Sequence, residues 1–230
     1  LADYMRPPMR LAALRGLRMI FIFTHDSIGV GEDGPTHQPI EQIMNMRQVP
    51  NLTVIRPADA NETAWAWRAA MLRTNGPTML VLTRHHVPVL DRTNVAGAEG
   101  LCKGAYILSR EQTETPDIIL IASGSEVHLI LEAQQQLALE KITARVVSMP
   151  SWELFREQAQ SYRDAILPPE IKTRLAVEAG VPLGWRDWVG DGGDIIGITG
   201  FGASAPANVL FKQYGFTVEH IVERAKKILT

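Results

Sequence analysis

Cysteine is nearly missing from this sequence. Cys102 alone can form no disulfide within the chain, which fits a reducing compartment and predicts a cytoplasmic protein. No run of about 18 apolar residues occurs, the length a helix needs to cross a bilayer, so no membrane partner is expected. Neither sign of charge dominates. The 23 Lys and Arg against 25 Asp and Glu leave a net charge of -2, scattered along the chain. No sustained positive field awaits a phosphate backbone, and nucleic acid is not an expected partner. No basic stretch followed by an apolar region and a small-residue cleavage site marks a secretory signal, and no internal repeat or low-complexity segment is visible. The chain opens on Leu1 instead of Met, inside an apolar helix-like stretch, which predicts that something upstream has been removed.

What is present is ordinary globular composition. At 46% hydrophobic and 21% charged, 230 residues suffice for one large domain or two smaller ones with their own cores. Short Val- and Ile-rich runs at Met19–Phe23, Leu52–Ile55, Thr78–Leu82, Asp117–Ala122, Ala144–Ser148, Leu175–Glu178 and Asp194–Ile198 read as buried strands. Amphipathic stretches between them, at Pro39–Met46, Asp59–Arg73, Ser125–Glu140, Ala207–Tyr214 and Val218–Leu229, read as helices. Asp59 with Glu62 predicts a capping box, and Ser125 with Glu126 a cap with a first-turn carboxylate.

At the N-terminus, Tyr4, Met5, Met9, Leu11 and Ala12 are spaced for one buried helix face, with Pro7 and Pro8 confining the regular helix to the residues after them. Trp65 and Trp67, two apart on one helix, should point to different faces, and Trp185, Trp188 and Phe201 are expected to pack. The fold class is therefore α/β: two consecutive open, mostly parallel sheet units, the first incomplete at its N-terminus. Residues 1–90 form the first unit, 91–115 a linker and the start of the next, and 116–230 the second.

The chemistry concentrates between Thr24 and Pro39, directly after the first strand. Ligands of open α/β sheets collect at the carboxyl ends of strands. Gly29, Gly31, Gly34 and Pro35 forbid a regular helix here and allow close approach of a ligand to the backbone. His25, His37, Asp26, Glu32 and Asp33 crowd the same loop. Gly34-Pro35 breaks any helical pairing of Asp33 with His37, and no second ligand cluster accompanies them, so no metal ligands are assigned. Arg84 follows the Thr78–Leu82 strand and should emerge at the same sheet edge as His25, where a guanidinium can hold a phosphate by two parallel hydrogen bonds.

The run from Thr24 to Gln38, continued by Pro39-Ile40-Glu41, resembles the signature loop of transketolases. Arg56-Pro57-Ala58-Asp59, Ala122-Ser123-Gly124-Ser125-Glu126-Val127, Ala144-Arg145-Val146-Val147-Ser148-Met149-Pro150 and Phe201-Gly202-Ala203-Ser204-Ala205-Pro206 extend the similarity over essentially the whole chain. The resemblance implies a transferase of the pentose phosphate pathway or Calvin cycle that moves a two-carbon ketol unit from a ketose phosphate to an aldose phosphate. It implies thiamine diphosphate and Mg2+ as cofactors and a homodimer for the complete enzyme. Residues 1–90 then correspond to the later part of the domain that binds the cofactor's aminopyrimidine, and the remainder to the C-terminal domain.

By the same resemblance His37 stands beside the reacting carbonyl as the catalytic residue. His25 and Asp33 bind the sugar, Arg84 its phosphate, and Tyr4 stacks on the aminopyrimidine. Leu1 stands where the family has a second aromatic, and His85-His86 replace the family's Gln-Asn after the arginine. The activating glutamate and the ligands of diphosphate and metal fall upstream, so this chain alone is expected to be inactive. Two other readings remain open: a non-catalytic C-terminal module for subunit association, and a related enzyme such as deoxyxylulose-phosphate synthase. The latter shares Asp33-Gly34-Pro35-Thr36-His37 but lacks the Thr24–Gly29 run.

Overall fold

The structure, a computed structural model, describes residues 2–230; Leu1, compared above with an aromatic position, lies outside them. The first unit runs α1 (Ala2–Leu14), β1 (Ile20–Thr24), α2 (Gln42–Arg47), β2 (Thr53–Ile55), α3 (Ala60–Leu72) and β3 (Thr78–Leu82). The second runs β4 (Tyr106–Ser109), β5 (Ile118–Ala122), α4 (Val127–Leu139), β6 (Ala144–Ser148), α5 (Trp152–Arg156), α6 (Gln160–Ile166), β7 (Arg174–Val177), α7 (Arg186–Val189), β8 (Asp194–Ile196), α8 (Ala207–Gln213) and α9 (Val218–Leu229). A three-stranded parallel sheet is ordered β1-β3-β2, and a five-stranded sheet β4-β6-β5-β7-β8. In the latter only β4 is antiparallel.

The central strands are apolar on both faces because both faces are covered. Ile118–Ala122 of β5 are all fully buried, with the α4 and α9 side chains Ile130, Leu137 and Ile221 on one side and Trp152, Phe155 and Trp185 on the other. A separate cluster under the first sheet joins Met9, Ala12 and Ala13 of α1 to Phe21, Val54, Met79 and Val81.

Several expectations need correction. Helix α1 runs through Pro7 and Pro8 instead of starting after them. The carbonyls that these prolines leave without an amide partner are those of Asp3 and Tyr4, exposed first-turn residues that water can reach. Its buried face is Ala2, Met9, Ala12 and Ala13, while Tyr4, Met5 and Leu11 lie outside that stripe and are exposed. Within 91–115, read as a linker and the start of the next unit, β4 was not foreseen as a strand and adds an antiparallel edge to the second sheet. Phe201, expected to pack, is 77% exposed, whereas Trp185 and Trp188 are buried. Trp65 packs partly into the core and Trp67 is turned outward.

The two sheets meet by their carboxyl ends. Arg56, directly after β2, bonds through its backbone amide to the carbonyl of Pro150, and its own carbonyl accepts from Gly124 after β5. The edge where open α/β sheets usually take ligands is therefore, in the second unit, filled by the first.

Candidate functional site

Thr24 at the end of β1 pairs with Leu82 at the end of β3, so the loop beginning at His25 and the segment Thr83-Arg84 leave from neighbouring strand ends. His25 adopts φ 67°, a left-handed conformation uncommon for a residue with a Cβ, and its Nδ1 shares a 2.8 Å hydrogen bond with the Thr24 hydroxyl. Ser27 then caps a 3-10 turn at Ile28–Val30 by accepting from the Gly29 amide. Turns closed by the amides of Gly34, His37 and Gln38 bring the chain round to α2. His37 shares a 2.9 Å bond between its Nδ1 and the Thr36 hydroxyl.

His25, Asp33, His37 and Arg84 are all exposed, and among the described residues the Asp33 carboxylate and the Arg84 guanidinium have no hydrogen-bonding partner. The fold thus gathers three of these residues on one loop and the fourth at the adjoining strand end. Tyr4 lies apart on α1 with 85% of its surface exposed. Its neighbour Asp3 accepts a 3.2 Å bond from Gln42, the first residue of α2. Among the described residues no group of three or more His, Cys, Asp or Glu side chains is placed to hold a metal ion.

Beneath the exposed residues lies a buried ionic network that the sequence reading missed. Arg56, fully buried, donates from Nε to Asp26 at 2.8 Å, from Nη1 to the Ser123 carbonyl at 2.8 Å, and to both Glu126 oxygens at 2.5 and 3.2 Å. Burial opposes the guanidinium charge, but Glu126 and Asp26 outweigh it and hold the Arg56 pKa above its ordinary value. Glu126 also accepts the Ala179 amide and the Ser125 hydroxyl, so Ser125 is spent on Glu126, and Glu126 on Arg56, instead of capping α4. Gly124, at φ 59°, leaves room for the guanidinium: a Cβ there would collide with it.

Further along the contact between the units, Arg47 forms a two-pronged pair with Glu178 and lies 4.0 Å above the Trp152 ring. The Asp59–Glu62 box is present, with the Glu62 amide bonded to Asp59 at 2.8 Å, and Glu62 reaches back to the Ala58 amide. A charged residue following an apolar strand and preceding Pro57 is the one local sign that Arg56 is special.

The first 89 residues match the model of the transketolase pyrimidine-binding domain, and residues 104–217 that of the transketolase-like C-terminal domain. The chain belongs to the transketolase family. It is 54% identical to a transketolase of Geobacillus stearothermophilus over 99% of its own length and 34% of the relative's. With a transketolase of Bacillus subtilis the identity is 52%, over the same shares. The solved transketolase of Leishmania mexicana superposes with a TM-score of 0.92 at 42% identity, covering 99% of this chain and 32% of that one. The chain therefore spans about a third of the length of the transketolases it matches.

Proposed function

We propose that this chain supplies the sugar-facing side of a transketolase site, in a full-length protein that moves a two-carbon ketol unit from a ketose phosphate to an aldose phosphate. The observation carrying this reading is that His25, Asp33 and His37 are exposed on the loop leaving β1 and Arg84 just past the adjoining end of β3, next to a network whose own charges are paired. Arg84 binds the sugar phosphate, His25 donates a hydrogen bond to the sugar, Asp33 accepts one from a hydroxyl, and His37 moves a proton at the reacting carbonyl.

The family implies thiamine diphosphate with a divalent metal such as Mg2+. The described residues do not by themselves fit that group: Tyr4 is an isolated, exposed ring, and no acidic cluster accompanies it. No step through the cofactor is assigned to this chain, and its binding is attributed to the remainder of a cytoplasmic homodimer. The alternative of a purely associative module gives no reason for a loop with three exposed polar side chains to leave β1 beside the strand end that precedes Arg84.

The test is an assay with a ketose phosphate donor, an aldose phosphate acceptor, thiamine diphosphate and magnesium. The full-length protein should turn over, His37→Ala should lower its kcat by about 10²–10⁴-fold, and the 230-residue chain alone should be inactive. Turnover by the short chain, or an unaffected His37→Ala enzyme, would overturn the reading.

A further inference from the structure

The loop bearing Asp33 and His37 is closed by its own turns, and the second unit pins it at two further points. Gln38, adjacent to His37, is 5% exposed and sends its carboxamide nitrogen to the carbonyls of Gly31 and Ala203, each at 2.8 Å, with Ile28 a third acceptor at 3.4 Å. One side chain thus ties the end of the loop to its beginning and both to the second unit. The orientation of the amide is fixed, since a flipped group would turn its oxygen against three carbonyl oxygens.

The second pin is Ser204, whose hydroxyl donates to the Glu32 carbonyl at 2.5 Å, one residue before Asp33. A Cβ on Gly34, one residue after Asp33, would come within 3.4 Å of the same serine's Cβ. Gly202 leaves room for the clamp, because a Cβ there would overlap the Gln38 side-chain oxygen. That oxygen is buried and has no partner among the described residues, which is a cost to folding. An apolar side chain of similar size would avoid the cost but could not bind three carbonyls.

We propose that Gln38, seated on the Gly202–Ser204 segment, is a positioning residue that sets His37 and Asp33 relative to one another. The second unit then builds the sugar site without touching sugar. The inference rests on the roles proposed above for Asp33 and His37. It excludes Arg84, which follows β3 and receives no bond from this clamp.

The decisive variant is Gln38→Met in the full-length protein, which keeps the length and volume of the side chain and removes its donors. It should lower kcat about tenfold or more and narrow the preference for a hydroxylated over a deoxy acceptor, with the KM for a phosphorylated donor changed by less than about twofold. Ser204→Ala, at an exposed position where folding is not at risk, should narrow the same preference by itself, through Asp33.

Equal losses on both acceptors, or a lowered Tm with wild-type kinetics, would make Gln38 a packing residue and end the proposal. Asp33→Ala and His37→Ala separate the two levels. If they act as proposed and neither Gln38→Met nor Ser204→Ala does, the clamp alone is wrong; if they have no effect, the roles of Asp33 and His37 fail and the clamp with them.

Discussion

Arg47 of the first unit and Glu178 of the second face one another across the unit boundary with two parallel bonds of 2.7 Å, both side chains almost fully buried. Glu178 also accepts from the Ser123 hydroxyl at 2.5 Å and from the Trp185 indole at 3.0 Å. Burial by itself would raise the Glu178 pKa, but Arg47 and Arg56 overcome it and hold the carboxyl at about 2, down from an ordinary 4.5. A carboxylate with a depressed folded pKa stabilises fully above its unfolded pKa and loses that contribution as pH falls toward the folded value. The unit contact should therefore weaken between pH 4.5 and about 2. At neutral pH, Arg47→Met leaves an uncompensated buried charge and should destabilise by about 3–5 kcal/mol, read from denaturant unfolding.

Glu62 behaves in the opposite sense. It is fully buried on α3, and burial raises its pKa against the lowering effect of bonds from Ser148 and Tyr106 at 2.6 and 2.7 Å and from the Ala58 amide. The folded state thus holds this proton more tightly than the unfolded chain, so the contribution to stability declines as pH rises above the ordinary 4.5. Glu62→Gln keeps an acceptor for the Ala58 amide, and the Ser148 and Tyr106 hydroxyls can turn to accept from the new amide. It should cost under about 1 kcal/mol and flatten the pH dependence of the unfolding midpoint, whereas Glu62→Leu, which strands three donors, should cost more than about 2 kcal/mol.

These two cases show where a sequence becomes opaque. The strands Thr78–Leu82 and Ala144–Ser148 and the helix Val218–Leu229 were legible to the residue, since burial on both faces or along one stripe writes itself into composition and period. β4 was not, because it is a four-residue antiparallel edge with only alternate residues buried. The short helices α5, α6 and α7 offer too few turns for a period to emerge. At the site, polar residues clustered with glycine and proline revealed the loop. Its foundations stayed hidden because ion pairing carries no local pattern: Arg47 and Glu178 are 131 positions apart, and Arg56 and Glu126 are 70.

Arg84 is exposed just past the end of β3 with no carboxylate bound among the described residues, which is what a phosphate-binding guanidinium requires. In the full-length enzyme Arg84→Ala should weaken binding of phosphorylated sugars by about 1.5–3 kcal/mol and leave unphosphorylated ones almost unaffected. Comparing KM for the two kinds of substrate checks this, and equal losses would remove the phosphate role.

Asp33 lies between Glu32, whose carbonyl is bound by Ser204, and Gly34, whose amide bonds to the Gly31 carbonyl, so its backbone is held while its carboxylate stays unpaired among the described residues. A carboxylate in that state accepts a charge-assisted bond from a sugar hydroxyl, whose removal costs about 1.5–3 kcal/mol, or roughly ten- to more than a hundred-fold in kcat/KM. An acceptor aldehyde lacking the hydroxyl has no such bond to lose. Asp33→Ala should then sharply reduce kcat/KM for the hydroxylated aldose and leave the matching deoxy-aldehyde little changed. If Asp33 served only to shape the turn before Gly34-Pro35, its loss would displace His37 and harm both acceptors alike. Measuring both acceptors with both enzymes closes the cycle, and parallel losses would leave Asp33 a residue of the turn.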